Sequence, residues 1–143
     1  MNSFSSDFSM YVSSADNFDT NASSNVFRVM VPSYISFRPV SKKRWHVALK
    51  ELSLPEIVSP KDYKKMLSIE CSIADQSLIE GTSRPVLRRL FWKNITIFEH
   101  LQYIPVTQTY PDHITFTLQG DKSKILEFEK DKIIYLTLNF KLR

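Results

Sequence analysis

Apolar and polar residues alternate almost to the last position of this 143-residue chain. Ile114, Phe116 and Leu118 share one parity, with Thr115 and Thr117 between them; Ile134, Leu136, Leu138, Phe140 and Leu142 repeat the pattern around Thr137, Asn139 and Lys141. Side chains on a strand point to opposite faces in turn, so each run lays one apolar face against a core. The final run therefore reads as a central strand, because a strand paired on both sides has to keep its pattern to its end.

Eight runs rich in β-branched and aromatic residues are predicted as strands, at 8–13, 25–31, 44–54, 66–74, 85–92, 101–106, 113–119 and 132–142. In the third, Trp45, Val47 and Leu49 occupy odd positions and Leu52 and Leu54 even ones, a phase change that predicts a β-bulge between them. The one helical candidate is 60–66, with Ser59 as cap and Pro60 in the first turn. Gly81 and Gly120 are the only glycines, so tight hairpins needing positive φ should be few, and longer links favour strands that cross between two sheets. The expected fold is all-β: an eight-stranded antiparallel single jelly-roll β-sandwich over 8–143, preceded by a flexible, Ser-rich N-terminal arm at 1–7.

Composition adds a compartment and removes some chemistry. The single cysteine, Cys71, lies in the run Leu67, Ile69, Cys71, Ile73 and reads as a buried, inert thiol, in keeping with a reducing compartment. The first residues are acidic and polar where an export signal would be basic and then apolar, and no stretch approaches the roughly 18 apolar residues of a spanning helix. Neither export nor membrane insertion is expected. His46, His100 and His113 are far apart, Asp112 and His113 would point to opposite faces of a strand, and two glycines cannot build a phosphate loop. No enzymatic activity, metal or cofactor is expected.

Lys and Arg outnumber Asp and Glu by 19 to 15, for a net charge of +4. Lys42, Lys43 and Arg44 form one basic cluster; Arg84, Arg88, Arg89 and Lys93 form another. Lys42, Lys43, Arg44, Arg88 and Arg89 are the candidate contacts to a polyanion, against the competing reading of an ordinary mixed-charge surface. A jelly-roll binding module for nucleic acid or carbohydrate is thus one function class. Tyr103, Tyr110, Asp112 and His113 would serve a carbohydrate site, although sheet packing and a polar turn explain them as well. Phe91 and Trp92 would face opposite sides of a strand, so at most one could stack on a base.

Three stretches carry a family likeness. In "NASSNVFRVMVPSYISFRPVSKKRWHVALKELSLPE" the marks are Pro32, Trp45, Val47, Leu49 and Glu51; in "CSIADQSLIEGTSRPVLRRL" they are Asp75, Ile79, Gly81, Pro85, Leu87 and Arg88. In the closing segment they are Tyr103, Pro105, Val106, Ile114, Phe116, Leu118, Asp121, Phe128, Leu138 and Phe140. In their order and spacing these stretches resemble the penton-like single jelly-roll minor capsid proteins of Polinton (Maverick) elements and related adenovirus-like viruses and virophages. The chain departs from that pattern at Lys130-Asp131, where the family has Gly, and at His46, where the family has Glu. No link is long enough for the second domain that many pentons insert, which leaves the jelly-roll base.

The resemblance implies a structural protein of the virion, assembled inside the host cell, that forms homopentamers at the fivefold vertices of an icosahedral shell. Its partners would be other copies of itself and the double jelly-roll major capsid protein, with a vertex spike or the genome as further candidates. Aromatic residues and arginine dominate interface energetics, so Tyr34, Phe37, Arg38, Trp92, Phe98 and Tyr110 are the candidate subunit contacts, with ordinary packing as the competing reading of each.

Overall fold

The computed structural model describes residues 7–19 and 23–143. The arm expected at 1–7 lies outside these residues except for Asp7, which opens the first strand. The chain is all-β with antiparallel pairing. In order the strands are β1 (Asp7–Ser13), β2 (Val26–Met30), β3 (Trp45–Ser53), β4 (Ile57–Ser59), β5 (Met66–Cys71), β6 (Ser77–Ile79) and β7 (Thr82–Arg84). They continue with β8 (Val86–Phe91), β9 (Ile95–Ile97), β10 (Ile104–Pro105), β11 (His113–Gly120), β12 (Glu127–Phe128) and β13 (Tyr135–Leu142). Among the described residues no helix is long and apolar enough to cross a membrane.

One sheet has the order β1-β13-β3-β10, with β9 also on β3; a second has the order β2-β11-β5-β8. β13 is therefore paired on both sides, with Phe140 opposite Phe8 of β1 and Val47 of β3. That placement accounts for the alternation that runs to Leu142: its even-numbered residues fill the core, and Leu138 and Phe140 are fully buried. The predicted bulge is present at Lys50. Thr137 faces Glu51 and Leu138 faces Leu49, which leaves Lys50 as the extra residue and restores the inward aim of Leu52 after it.

Both sheets contribute to one core. Phe116 of β11 stacks on Phe27 of β2 at 5.1 Å between ring centroids. On the other sheet Phe140 stacks on Phe8 at 4.9 Å and on Phe37 at 4.8 Å, and Trp45 meets Phe8 edge-on at 5.4 Å.

Several elements differ from expectation. No helix forms at 60–66. Ser59 is instead the last residue of β4, opposite Glu127, and Asp62 takes φ +60°, outside the helical region. So few residues cannot sustain a helix without a packing partner, and here pairing claims the cap. The run at 101–106 yields only Ile104 and Pro105, because proline has no N–H to extend a ladder. Five short strands of two or three residues, β4, β6, β7, β9 and β12, lie outside the predicted runs. β6 and β7 form the one two-residue hairpin that the glycine count allows: Ile79 pairs with Thr82 across Glu80 (φ +50°) and Gly81 (φ +79°). Nothing lies within 4 Å of where a Gly81 Cβ would sit, so the turn needs glycine for its backbone angle and not for space.

Candidate functional site

One end of the two sheets gathers half of the candidate contacts. β2 leads into the segment 31–44, and β11 is preceded by the segment 106–112. Backbone hydrogen bonds join the two, from Val31 N–H to the Asp112 carbonyl at 2.9 Å and from Phe37 N–H to the Thr109 carbonyl at 2.8 Å. Trp45 fixes the first segment from beneath by donating its indole N–H to the Arg38 carbonyl at 3.1 Å. On this frame Tyr34 stands 85% exposed and Tyr110 64% exposed, with Arg38 exposed beside them. A hydrogen-bonded loop has little backbone freedom left to lose when a partner covers it, so the ordering cost of binding falls on the side chains.

The other three candidates lie elsewhere. Phe37 is 4% exposed and stacked inside the core, so it cannot touch a partner. The sequence signal that separates it from Tyr34 is slight: Phe37 shares the parity of half-buried Ile35 across Ser36, and Tyr34 has the other parity. Trp92 is half-buried and donates its indole N–H to the Pro55 carbonyl at 2.9 Å. Phe98 lies under Arg88, whose guanidinium carbon is 4.1 Å from the ring centroid.

Beside the tyrosine loops an open groove of about 880 Å³ runs between β1 and the end of β2, lined by Met10, Tyr11, Met30, Tyr34 and Ile35 among others. Among the described residues β1 pairs with β13 alone, and its residues Phe8 to Val12 line this groove. Tyr11 (81%) and Met30 (64%) are strongly exposed here. Large apolar side chains left to water at the edge of a sheet are a common mark of an association surface.

The basic candidates are not brought together. Lys42 and Lys43 occupy a tight turn closed by reciprocal backbone bonds between Val40 and Lys43, and Arg44 exchanges backbone bonds with Arg143 at 2.8 and 2.9 Å. These lie at the tyrosine end. Arg88 and Arg89 are on β8. Arg88 donates to the His100 carbonyl at 3.0 Å, and burial lowers its pKa; Arg89 lies 4.0 Å from Glu80. Arg84 does not belong to a solvated cluster. It is buried on the outward side of β5, donating to Glu70 at 3.3 Å and to Gln119 at 2.6 Å.

Reactive chemistry is thinly represented. Burial pushes the Cys71 thiol up to about 12, against smaller opposing hydrogen bonds from the Ile73 and Ala74 backbone. At such a value no useful fraction of thiolate exists near neutral pH. Tyr103 donates to Asn139 at 2.6 Å and lies below Lys141 and Arg143; burial raises its pKa, Asp7 adds to the rise, and Arg143 opposes it. His113 stacks edge-on with Phe18, and His46 lies 3.0 Å from the Arg44 carbonyl. Among the described residues no group of three His, Cys, Asp or Glu side chains could hold a metal ion. A comparison with protein-family models and one with curated proteins each give no match to this chain.

Proposed function

We propose that the chain is a penton-like structural capsid protein, a single eight-stranded jelly roll that forms homopentamers at the fivefold vertices of an icosahedral virus shell. Around it would sit double jelly-roll major capsid proteins, with the shell assembled inside the host cell. The observation that carries this reading is the strand order. The eight strands at the predicted runs are β1, β2, β3, β5, β8, β10, β11 and β13. In chain order these are the first to eighth, and they lie as 1-8-3-6 in one sheet and 2-7-4-5 in the other. Six of their seven connections pass from one sheet to the other, which supports the jelly-roll reading. The residues of the family likeness support it too: Trp45, Val47, Leu49, Ile114, Phe116, Leu118, Leu138 and Phe140 all point into the core between those sheets.

A ring requires a heterologous contact, in which one flank of a subunit fits the opposite flank of the next and the rotation closes. Tyr34, Arg38 and Tyr110 beside the groove along β1 supply one such flank, with large exposed rings. No reacting group is needed, because the function lies in shape and in the angle between copies.

Replacing Tyr34 and Tyr110 together by alanine tests the contact. Each truncation of an interface anchor costs about 2 kcal/mol of association, so the double variant should sediment as a monomer at concentrations where the parent chain is assembled. Both side chains are exposed, so the melting temperature of the monomer should change little. An assembled double variant would move the contact to another flank.

A further inference from the structure

At the far end of β11 from Tyr110, five lysines meet in a concavity of about 500 Å³. Lys61, Lys64 and Lys65 come from the β4–β5 link, and Lys122 and Lys124 from the turn that follows β11. All five are exposed. Two aspartates, Asp62 and Asp121, share the lining, which leaves an excess of three positive charges in a chain whose net charge is +4. Among the described residues one ion pair engages these lysines, Lys65 with Asp121 at 3.8 Å. Like charges crowded in this way repel one another, so the fold has to hold the two loops together by other means.

Tyr63 does so. Its hydroxyl donates to the Met66 carbonyl at 2.8 Å and accepts the Asp121 backbone N–H. The ring lies directly over Gly120, where a Cβ would come within 2.7 Å of the hydroxyl oxygen and 2.9 Å of the ring carbon that bears it. The Lys122 backbone is turned at φ +56° and its N–H is held by Glu80 at 2.9 Å. Both loops are therefore fixed; Lys65 would exchange its contact with Asp121 for a ligand, and the other four ammonium groups have no ion pair among the described residues.

We propose that this lysine cradle binds the phosphate backbone of nucleic acid. Lysine ammonium groups act as point charges and accept phosphate without demanding the planar geometry that a guanidinium reads. The cradle offers no exposed aromatic for a base to stack on, and its one ring, Tyr63, is occupied in joining the loops. It also lacks the apolar or aromatic anchor on which a protein partner's affinity would rest. Contacts limited to phosphate carry no sequence preference, and duplex should be favoured over single strands for its higher charge density. The cradle is about 24 Å from the tyrosine loops, the length of β11, so the two surfaces can be occupied together. The proposal stands whether or not the chain forms a ring.

The test is fluorescence anisotropy of the full chain with a labelled 20-base-pair duplex of arbitrary sequence, titrated at several NaCl concentrations from about 20 mM upward. Counterion release predicts that five phosphate contacts weaken binding on the order of 500-fold for a fourfold rise in salt, and that K61Q/K64Q/K65Q reduces this to about tenfold. The same variant should bind the duplex at least tenfold more weakly at the lowest salt, while K42Q/K43Q/R44Q at the opposite end stays near the parent. Both variants change exposed residues, and unchanged melting temperatures would show intact folds. Parent-like affinity and salt slope in the cradle variant would overturn the proposal. So would failure of the parent chain to bind at about 20 mM salt, or tighter binding of polyglutamate than of duplex through the same lysines, which would assign the cradle to an acidic protein surface.

Discussion

Replacing Phe140 by alanine is expected to lower stability by about 3–5 kcal/mol, a large part of the roughly 5–15 kcal/mol that holds a domain of this size together. Phe140 is fully buried, and its ring stacks on both Phe8 of β1 and Phe37 of the β2–β3 link, which also stack on each other. Its backbone sits between β1 and β3. One truncation therefore opens a cavity where three segments meet, none of which can collapse to fill it without breaking strand register. Urea denaturation followed by tryptophan fluorescence measures the loss. A cost below about 1 kcal/mol would mean that the site relaxes, contrary to the close packing described here. The tyrosine loops should loosen in the same variant, because Phe37 fixes their frame from inside.

The second large effect is expected at Arg84. The side chains of Arg84 and Glu70 are 9% and 13% exposed, with their charged groups 3.3 Å apart and Gln119 as a further partner of Arg84 at 2.6 Å. Removing the cation leaves a carboxylate shut away from water, so Arg84→Met should cost about 3 kcal/mol, at the low end for a broken buried pair. That corresponds to a melting temperature lower by about 6–12 °C. The pH dependence separates this cause from simple misfolding. Burial pushes the Glu70 carboxyl above its ordinary value, and Arg84 opposes that shift. The folded protein thus holds the Glu70 proton more tightly than the unfolded chain does, and this group's contribution to stability falls as pH rises through its folded pKa. Without Arg84 the shift grows. The deficit of the variant should be full at neutral pH and shrink as pH falls toward the ordinary carboxylate range. Adding Glu70→Gln should recover part of the loss at neutral pH and abolish the pH dependence. A deficit independent of pH would contradict the assignment.

The regular part of the fold was legible because periodicity encodes it. The all-β antiparallel class, the bulge at Lys50 and the central place of β13 follow from which positions are apolar and where the phase changes. What escaped is too short for alternation to separate it from a turn. β4 and β12 are short pieces paired across some seventy residues, and Ser59, which looks like a helix cap locally, is a strand residue because Glu127 lies opposite it. Phe37 and Tyr34 are three positions apart in the same loop, and only the short alternation Ile35, Ser36, Phe37, Arg38 separates them, yet one is core and the other solvent-exposed. Arg84 looked like one more surface cation beside Arg88 and Arg89, since no local feature announces that the β6–β7 hairpin brings it over Glu70. The lysine cradle was hidden for a similar reason. "KDYKK" and "DKSK" are unremarkable alone, and only the contact of Tyr63 with Gly120 and Asp121 makes them one surface.

The proposed flanks are assembly surfaces. Negative-stain electron microscopy of the purified full chain, alone and mixed with a major capsid protein of the proposed double jelly-roll class, tests that most directly. Rings of five subunits in either preparation are the predicted result. Isolated single subunits in both, at concentrations where light scattering reports a homogeneous folded monomer, would contradict it.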